Sequence, residues 1–365
     1  MSTDNMAEFM GVRVDPVRTP VTAGLTPIPA WLEPHGTVAK GRFGYVLDGR
    51  LNDAFRAVNL LWDEGVQVRR FHAKQGAHRP GDFWIPDAPQ ALVEHVAQET
   101  GVPFVALDDD PGAAAAPVSR LRVAMYQRFY GGNMDEGWTR WLLEQFSFPY
   151  TSLFDAELKA GNLNRKYDVV IIPEDNLSTL KGGDRDEDEP DYPPEYRSGF
   201  GDEGIAALKA FVEAGGTLIT FSRAGDLAME ELGVPVRNVV AGLPGRSFWS
   251  PGSTLKVKVD ASDPVAYGMP EDALATYLAG GQVYETVASA KNEAVRRIVT
   301  YVDRDVLQSG WLLGEEHIAG KAAVVAVAKG KGQVLLLGFR AQHRAQTHGT
   351  FKLLFNALVG PPPAR

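Results

Sequence analysis

Val169-Val170-Ile171-Ile172 and, further along, Thr217-Leu218-Ile219-Thr220-Phe221 are the stretches on which the fold turns. The first is an unbroken apolar run, the pattern of a strand covered on both faces in a parallel sheet. Between the two, residues 202–214 place Ile205, Leu208, Phe211 and Val212 on one helical face, and Gly215-Gly216 stops the helix. Buried strand, amphipathic helix and buried strand in succession predict a doubly wound α/β sheet.

The pattern extends outward in both directions. Residues 121–126 form a further strand, and a loop over 127–133 leads into a helix whose shared apolar face is Met134, Trp138, Trp141, Leu142 and Phe146. Asp135 and Glu136 sit in its first turn, where the helix dipole favours them. Downstream, a short helix covers 226–232. Residues 255–259, 282–287 and 295–302 alternate and predict antiparallel strands added to the main sheet. Strands at 323–327 and 334–339 flank a hairpin turn at 329–332. A last helix uses Phe351, Leu354, Phe355 and Leu358.

Ahead of this unit lies a smaller one. Residues 41–107 read in the order βαββαβ, with Asn52 as a helix cap, Phe55, Val58, Leu61 and Trp62 on one face, and Arg69-Arg70 as strand surface. That order fits a split βαβ unit or a small three-layer unit. Residues 1–40 carry Pro20, Pro27, Pro29 and Pro34 and read as an extended arm or linker lying on another surface. Residues 108–120, with three aspartates and a run of alanines, read as the linker to the larger domain at 121–360.

Composition removes whole classes of function. The 365 residues are 44% hydrophobic, enough for sizeable cores. A net charge of -9 without a dense Lys/Arg cluster argues against nucleic acid. No run is long and apolar enough to span a membrane. The absence of cysteine rules out disulfides, thiolate zinc sites and cysteine nucleophiles. The first residues lack a signal-peptide pattern, so the expected location is cytoplasmic if the chain is complete.

Several segments invite chemistry. Ser222 follows a buried strand, as a nucleophile elbow requires, but without the leading glycine of that motif, so it reads first as a polar strand-end residue and only second as a nucleophile. His343, Arg344 and His348 stand in a polar run before an apolar helix; the histidines are spaced wrongly to share one metal on a helix, and the plain alternative is a hydrogen-bonded helix start. Gly131-Gly132, after a strand and before a helix, mark a place where anions bind, and Arg344 could serve such a ligand. Glu315-Glu316-His317 lacks the second histidine of a zinc helix. Asp184, Asp186, Asp188 and Glu195 have the spacing of a calcium loop, but Glu189-Pro190 stands where the turn needs glycine, so 182–197 read as an acidic insertion. No metal or cofactor is expected.

Four segments carry a family resemblance: Met134-Asp135-Glu136-Gly137-Trp138-Thr139-Arg140-Trp141-Leu142-Leu143-Glu144-Gln145-Phe146, Tyr167-Asp168-Val169-Val170-Ile171-Ile172-Pro173, Gly310-Trp311-Leu312-Leu313-Gly314-Glu315-Glu316-His317, and the run from Gly338-Phe339-Arg340 through Gln342-His343-Arg344 to Phe351-Lys352. Together they resemble the region that follows the peptidase domain in large bacterial zinc carboxypeptidase-like proteins. The resemblance runs from about Gly11 to the last helix. It implies a flavodoxin-like fold similar to class I glutamine amidotransferases over 120–360. Gly215-Gly216-Thr217-Leu218-Ile219-Thr220-Phe221-Ser222 matches the nucleophile segment of that superfamily, with serine in place of cysteine. The zinc motif of the peptidase has no counterpart, so no catalytic residue carries over.

The resulting expectation is a non-catalytic accessory or interaction module whose partner is a zinc peptidase catalytic domain, periplasmic or secreted if it is the tail of an exported peptidase. The alternatives are a binding protein for a small polar ligand near Gly131, Ser222 and His343, and a serine-dependent amidase or hydrolase using Ser222 with His343 or His348.

Overall fold

The computed structural model describes residues 6–12, 15, 17–22, 24, 26–27, 35–129, 132–182, 193, 199–288 and 293–361. Its larger unit is built on five parallel strands lying side by side as Thr151–Leu153, Val123–Tyr126, Val169–Ile172, Thr217–Phe221 and Gly332–Leu337. Ranked along the chain within this block, the order is 2-1-3-4-5, the flavodoxin-like arrangement. Ala322–Lys329, Val295–Tyr301, Gly252–Val259 and Asp272–Leu278 then continue the sheet in antiparallel fashion. The expected hairpin is present, with Lys329 opposite Gly332.

Alternation along the central strands feeds two separate cores. Val169, Ile171, Ile219, Leu335 and Leu337 enter one, and Val170, Ile172, Leu218 and Leu336 the other. The helix Gly201–Glu213 covers the second face with Leu208, Phe211 and Val212, while Leu142 and Leu143 of Met134–Gln145 cover the first. Both faces of the parallel block are therefore covered, which is why its strands read as apolar runs.

The smaller unit is an antiparallel sheet ordered Val68–Phe71, Phe83–Ile85, Tyr45–Leu47, Val105–Ala106, with helices Asn52–Asp63 and Gln90–Thr100. Of the two arrangements left open, this is the split βαβ unit. Part of the stretch read as a linker, Ala115–Arg120, is a strand on the outer side of Val68–Phe71, and Val359–Gly360 adds a sixth strand beside it. The two units share one apolar core, in which Phe55 meets Phe148 and Phe355.

Three local expectations need correction. On Met134–Gln145, Met134 is 74% exposed and Trp141 49%; the buried positions are Asp135, Glu136, Thr139, Leu142 and Leu143. Arg70, read as strand surface, is buried: its guanidinium lies over Phe83 and Tyr267, and its Nη2 donates to Asn356 Oδ1 at 2.5 Å. Burial in this ring cage pushes its pKa down to about 10. Asn52 does not cap its helix. Leu51 holds the cap position, and the Asn52 side chain instead donates to the His348 carbonyl at 2.9 Å and accepts from Lys352 Nζ at 2.9 Å. Both Arg70 and Asn52 thus join the two units.

The arm is not wholly extended. Met6–Met10 is a helical turn that buries Phe9, and Glu8 accepts from Ser309 Oγ at 2.6 Å, so this part of it lies on the chain's own larger unit. Among the described residues, no helix is long and apolar enough to cross a membrane.

Candidate functional site

Ligands of doubly wound sheets bind beyond the carboxyl ends of the strands, where the strand order reverses. Here the reversal lies between Val123–Tyr126 and Val169–Ile172. A cleft of about 700 Å³ opens at that point, and residues following four of the parallel strands line it.

Asn133 sets the geometry. Its Oδ1 caps the helix Met134–Gln145 by accepting from the Glu136 amide at 3.1 Å. Its Nδ2 donates to the Glu174 carbonyl at 3.0 Å, which ties the helix start to the neighbouring strand end. This places Asp135 inside. Arg340, beyond the fifth parallel strand, reaches Asp135 Oδ2 with Nε at 2.9 Å and Glu174 Oε2 with Nη2 at 2.9 Å. Arg223, beyond the fourth strand, donates from Nε to Glu174 Oε1 at 2.6 Å. Arg128 Nε lies 2.9 Å from Asp175 Oδ2, an ion pair whose N–H is not aimed at the oxygen. Burial, with the nearby Glu174 carboxylate, pushes the Asp135 pKa up to about 6 against the opposing pull of Arg340.

The loop over this pair needs glycine. At Gly280, with φ +87°, a Cβ would stand 2.8 Å from Arg223 Nε and 3.1 Å from Glu174 Oε1. Among the described residues no group of His, Asp and Glu could hold a metal ion.

No family model matches the chain, and no protein of curated function matches it either. Similar solved structures exist at low identity. PurLQS from Thermotoga maritima is 15% identical over 66% of this chain and 98% of its own, with a TM-score of 0.42. A cytoplasmic protein of Salmonella typhimurium, STM3548, is 14% identical over 65% of this chain and 98% of its own, with a TM-score of 0.40. A GMP synthase subunit from Thermoplasma acidophilum is 8% identical over 66% and 95% respectively, with a TM-score of 0.38. The flavodoxin-like assignment itself stands on the strand pairing given above.

The residues singled out in the sequence fall in several places. Ser222 is buried at the end of Thr217–Phe221 with φ +48°, a left-handed conformation that strains a residue with a side chain. His343 is buried, with its ring edge-on to Trp138 at 4.9 Å, and neither ring nitrogen has a hydrogen-bond partner. It therefore bonds neither Ser222 nor a carboxylate. His348 packs against Phe351 at 4.7 Å, and its carbonyl accepts from the smaller unit's Asn52. Arg344 is exposed, Gly132 lines the cleft, and Gly131 and most of the acidic insertion lie outside the described residues. The cleft's own charged groups, Arg128, Asp135, Glu174, Asp175, Arg223 and Arg340, were missed as site residues. Arg128, Glu174, Arg223 and Arg340 each stand just beyond a parallel strand, and that placement is their sequence signal; Asp135, in a helix's first turn, carries none.

Burial, then the charges of Arg340 and Arg344, push the His343 pKa down to about 4. A folded pKa below the ordinary 6.5 means stability that is fully present above pH about 6.5 and is lost as pH falls toward about 4. His343→Leu is expected to flatten that acid dependence and to raise the melting temperature at pH about 5 more than at pH about 7.5. Thermal melts of both proteins at the two pH values check this; parallel shifts would show that His343 does not titrate as described.

Proposed function

We propose that this chain is a non-catalytic module that holds a small polar ligand in the switch-point cleft and accompanies a zinc carboxypeptidase-like catalytic domain. One observation carries the first part. Six charged side chains converge on the cleft from four strand ends, while His343 has no hydrogen bond to a nucleophile or an orienting carboxylate. Catalysis by Ser222 would need that hydrogen-bonded chain. Arg223 has a side chain 45% exposed and uses its Nε for Glu174, so it is the cation an incoming carboxylate or phosphate oxygen would meet. The second part rests on the resemblance of the segments at 134–146, 167–173, 310–317 and 338–352.

Titration calorimetry against carboxylates, nucleotides and sugars tests the ligand. An anionic class is expected to bind, and Arg223→Ala to weaken it about tenfold or more. Flat titrations across all three classes would sink the reading. The strained backbone at Ser222 favours the hydrolase alternative, so Ser222→Ala belongs in the same experiment. Ester or amide hydrolysis that this change abolishes would replace the non-catalytic reading with an enzymatic one. An immunoblot of source cells tests the accompaniment: a band near 39.7 kDa would mean a separate protein, and a much larger one a peptidase tail.

A further inference from the structure

We propose that a second cleft, on the other side of Arg223, binds the ring of a neutral carbohydrate. This cleft has a volume of about 440 Å³ and is walled largely by the added antiparallel strands and their loops. Arg223 lines both clefts and so forms the partition between them.

One wall is aromatic. Trp249 is 51% exposed, yet its backbone is fixed by paired hydrogen bonds with Leu313, the Trp249 amide donating at 3.0 Å and the Leu313 amide at 2.9 Å. Beside it, Phe248 stacks edge-on against Tyr277 at 6.0 Å, and the Tyr277 hydroxyl is anchored by donating to the Gly281 carbonyl at 2.7 Å. An exposed indole on a rigid backbone offers a flat apolar face at little entropic cost.

The rest of the lining is planar and polar. Gln282 donates from Nε2 to Asp226 Oδ1 at 2.6 Å, and its Oε1 accepts from Tyr284 at 2.9 Å, which fixes the orientation of both amide and carboxylate. Asn238 Oδ1 accepts from the amides of Val240 at 3.2 Å and Val283 at 3.1 Å, leaving its Nδ2 as the donor. Ser250 supplies an independent sign of a ligand. It is only 5% exposed and lines the cleft, yet its Oγ has no hydrogen-bond partner. The Oγ is sealed from solvent as it stands, so a rotation of this side chain toward the cleft would let a ligand hydroxyl recover the free energy that an unpaired buried group costs.

The combination selects the chemistry. A sugar ring presents C–H groups to an indole face and, around its edge, hydroxyls that both donate and accept. An anion would face two carboxylates, Asp226 and Glu230, against the single cation Arg223, and a purely aromatic ligand would leave the amide and carboxylate edge unused.

Titration of tryptophan fluorescence with glucose, galactose, mannose, N-acetylglucosamine and their β-linked disaccharides tests this. At least one saccharide is expected to give a saturating change. Trp249→Ala should weaken it about tenfold or more, Trp249→Phe should retain most of it, and Ser250→Ala should cost about threefold. Trp141→Phe, at a residue that lines neither cleft, should leave the affinity unchanged, and thermal melts of each variant establish that it is folded. Absence of saturation by any saccharide up to about 100 mM, a weak-affinity limit, would overturn the proposal. So would equal binding of free indole, or an affinity that Trp249→Ala leaves intact.

Discussion

Phe355→Ala is expected to destabilise the whole chain by about 3–5 kcal/mol, a large share of the stability of an ordinary domain. The ring is fully buried and touches four others: Phe146 at 4.8 Å, Phe148 at 5.1 Å, Phe55 at 5.4 Å and Phe351 at 5.8 Å. Phe55 belongs to the smaller unit, whereas Phe146 and Phe148 follow the helix that borders the cleft. Truncating the ring opens a cavity between the units, so the loss should appear in both at once. Urea unfolding followed by tryptophan fluorescence and by far-ultraviolet circular dichroism checks this. Coincident transitions moved to lower urea are expected; a shift in one transition with the other unmoved would show that the units fold independently. Phe355→Leu, which keeps most of the volume, should cost far less.

Arg340→Ala is expected to cost about 3–5 kcal/mol for a different reason. The side chain is the shared cation of two buried carboxylates, Asp135 and Glu174, and its removal leaves Asp135 without a cation and Glu174 with Arg223 alone, in a poorly solvated place. The loss should depend on pH. The Asp135 pKa already stands at about 6, above its ordinary value, so the stability contributed by its protonated form is present below about pH 4 and lost as pH rises through about 6. Without Arg340 the carboxyl holds its proton more tightly still, and that window extends upward. The gap between the variant and the parent should therefore be wider at pH about 8 than at pH about 5 in urea unfolding. Arg340→Lys should recover only part of the loss, because a point charge cannot bridge two carboxylates as a planar fork does. Equal gaps at both pH values would mean that Asp135 is not the group exposed by the change.

The parallel sheet was legible because each central strand is buried on both faces, and burial leaves its mark on composition at every position. The helix Met134–Gln145 shows where that logic fails. An apolar stripe through Met134, Trp138, Trp141, Leu142 and Phe146 predicts one inward face; Leu142 and Phe146 are buried, but Met134 and Trp141 are exposed and the helix turns Asp135 and Thr139 inward, where Gln342 donates to both and Arg340 pairs with the first. Arg70 fails in the same way: its aromatic cage includes Tyr267, and its acceptor is Asn356. In each case the partner that makes burial favourable lies far along the chain, and no local window contains it. The cleft was missed for a related reason. Its charged residues are unremarkable one by one and become a site only when the 2-1-3-4-5 order brings four strand ends together. Ser222 and His343 stand beyond the fourth and fifth parallel strands, a placement visible in the sequence, but their burial and the orphaned nitrogens of His343 are properties of packing.

The pairing of Val359–Gly360 with Ala115–Arg120 bears on how the molecule is made. Synthesis proceeds in one direction, so the smaller unit emerges first but lacks its sixth strand until the whole of the larger sheet has been translated. Through that interval Ala115–Arg120 is an open edge, with amides and carbonyls ready to pair with any extended chain nearby. Closing that edge is the work of Val359–Gly360, so the nascent protein passes through a state in which the earlier-made of its two units carries an unpaired edge.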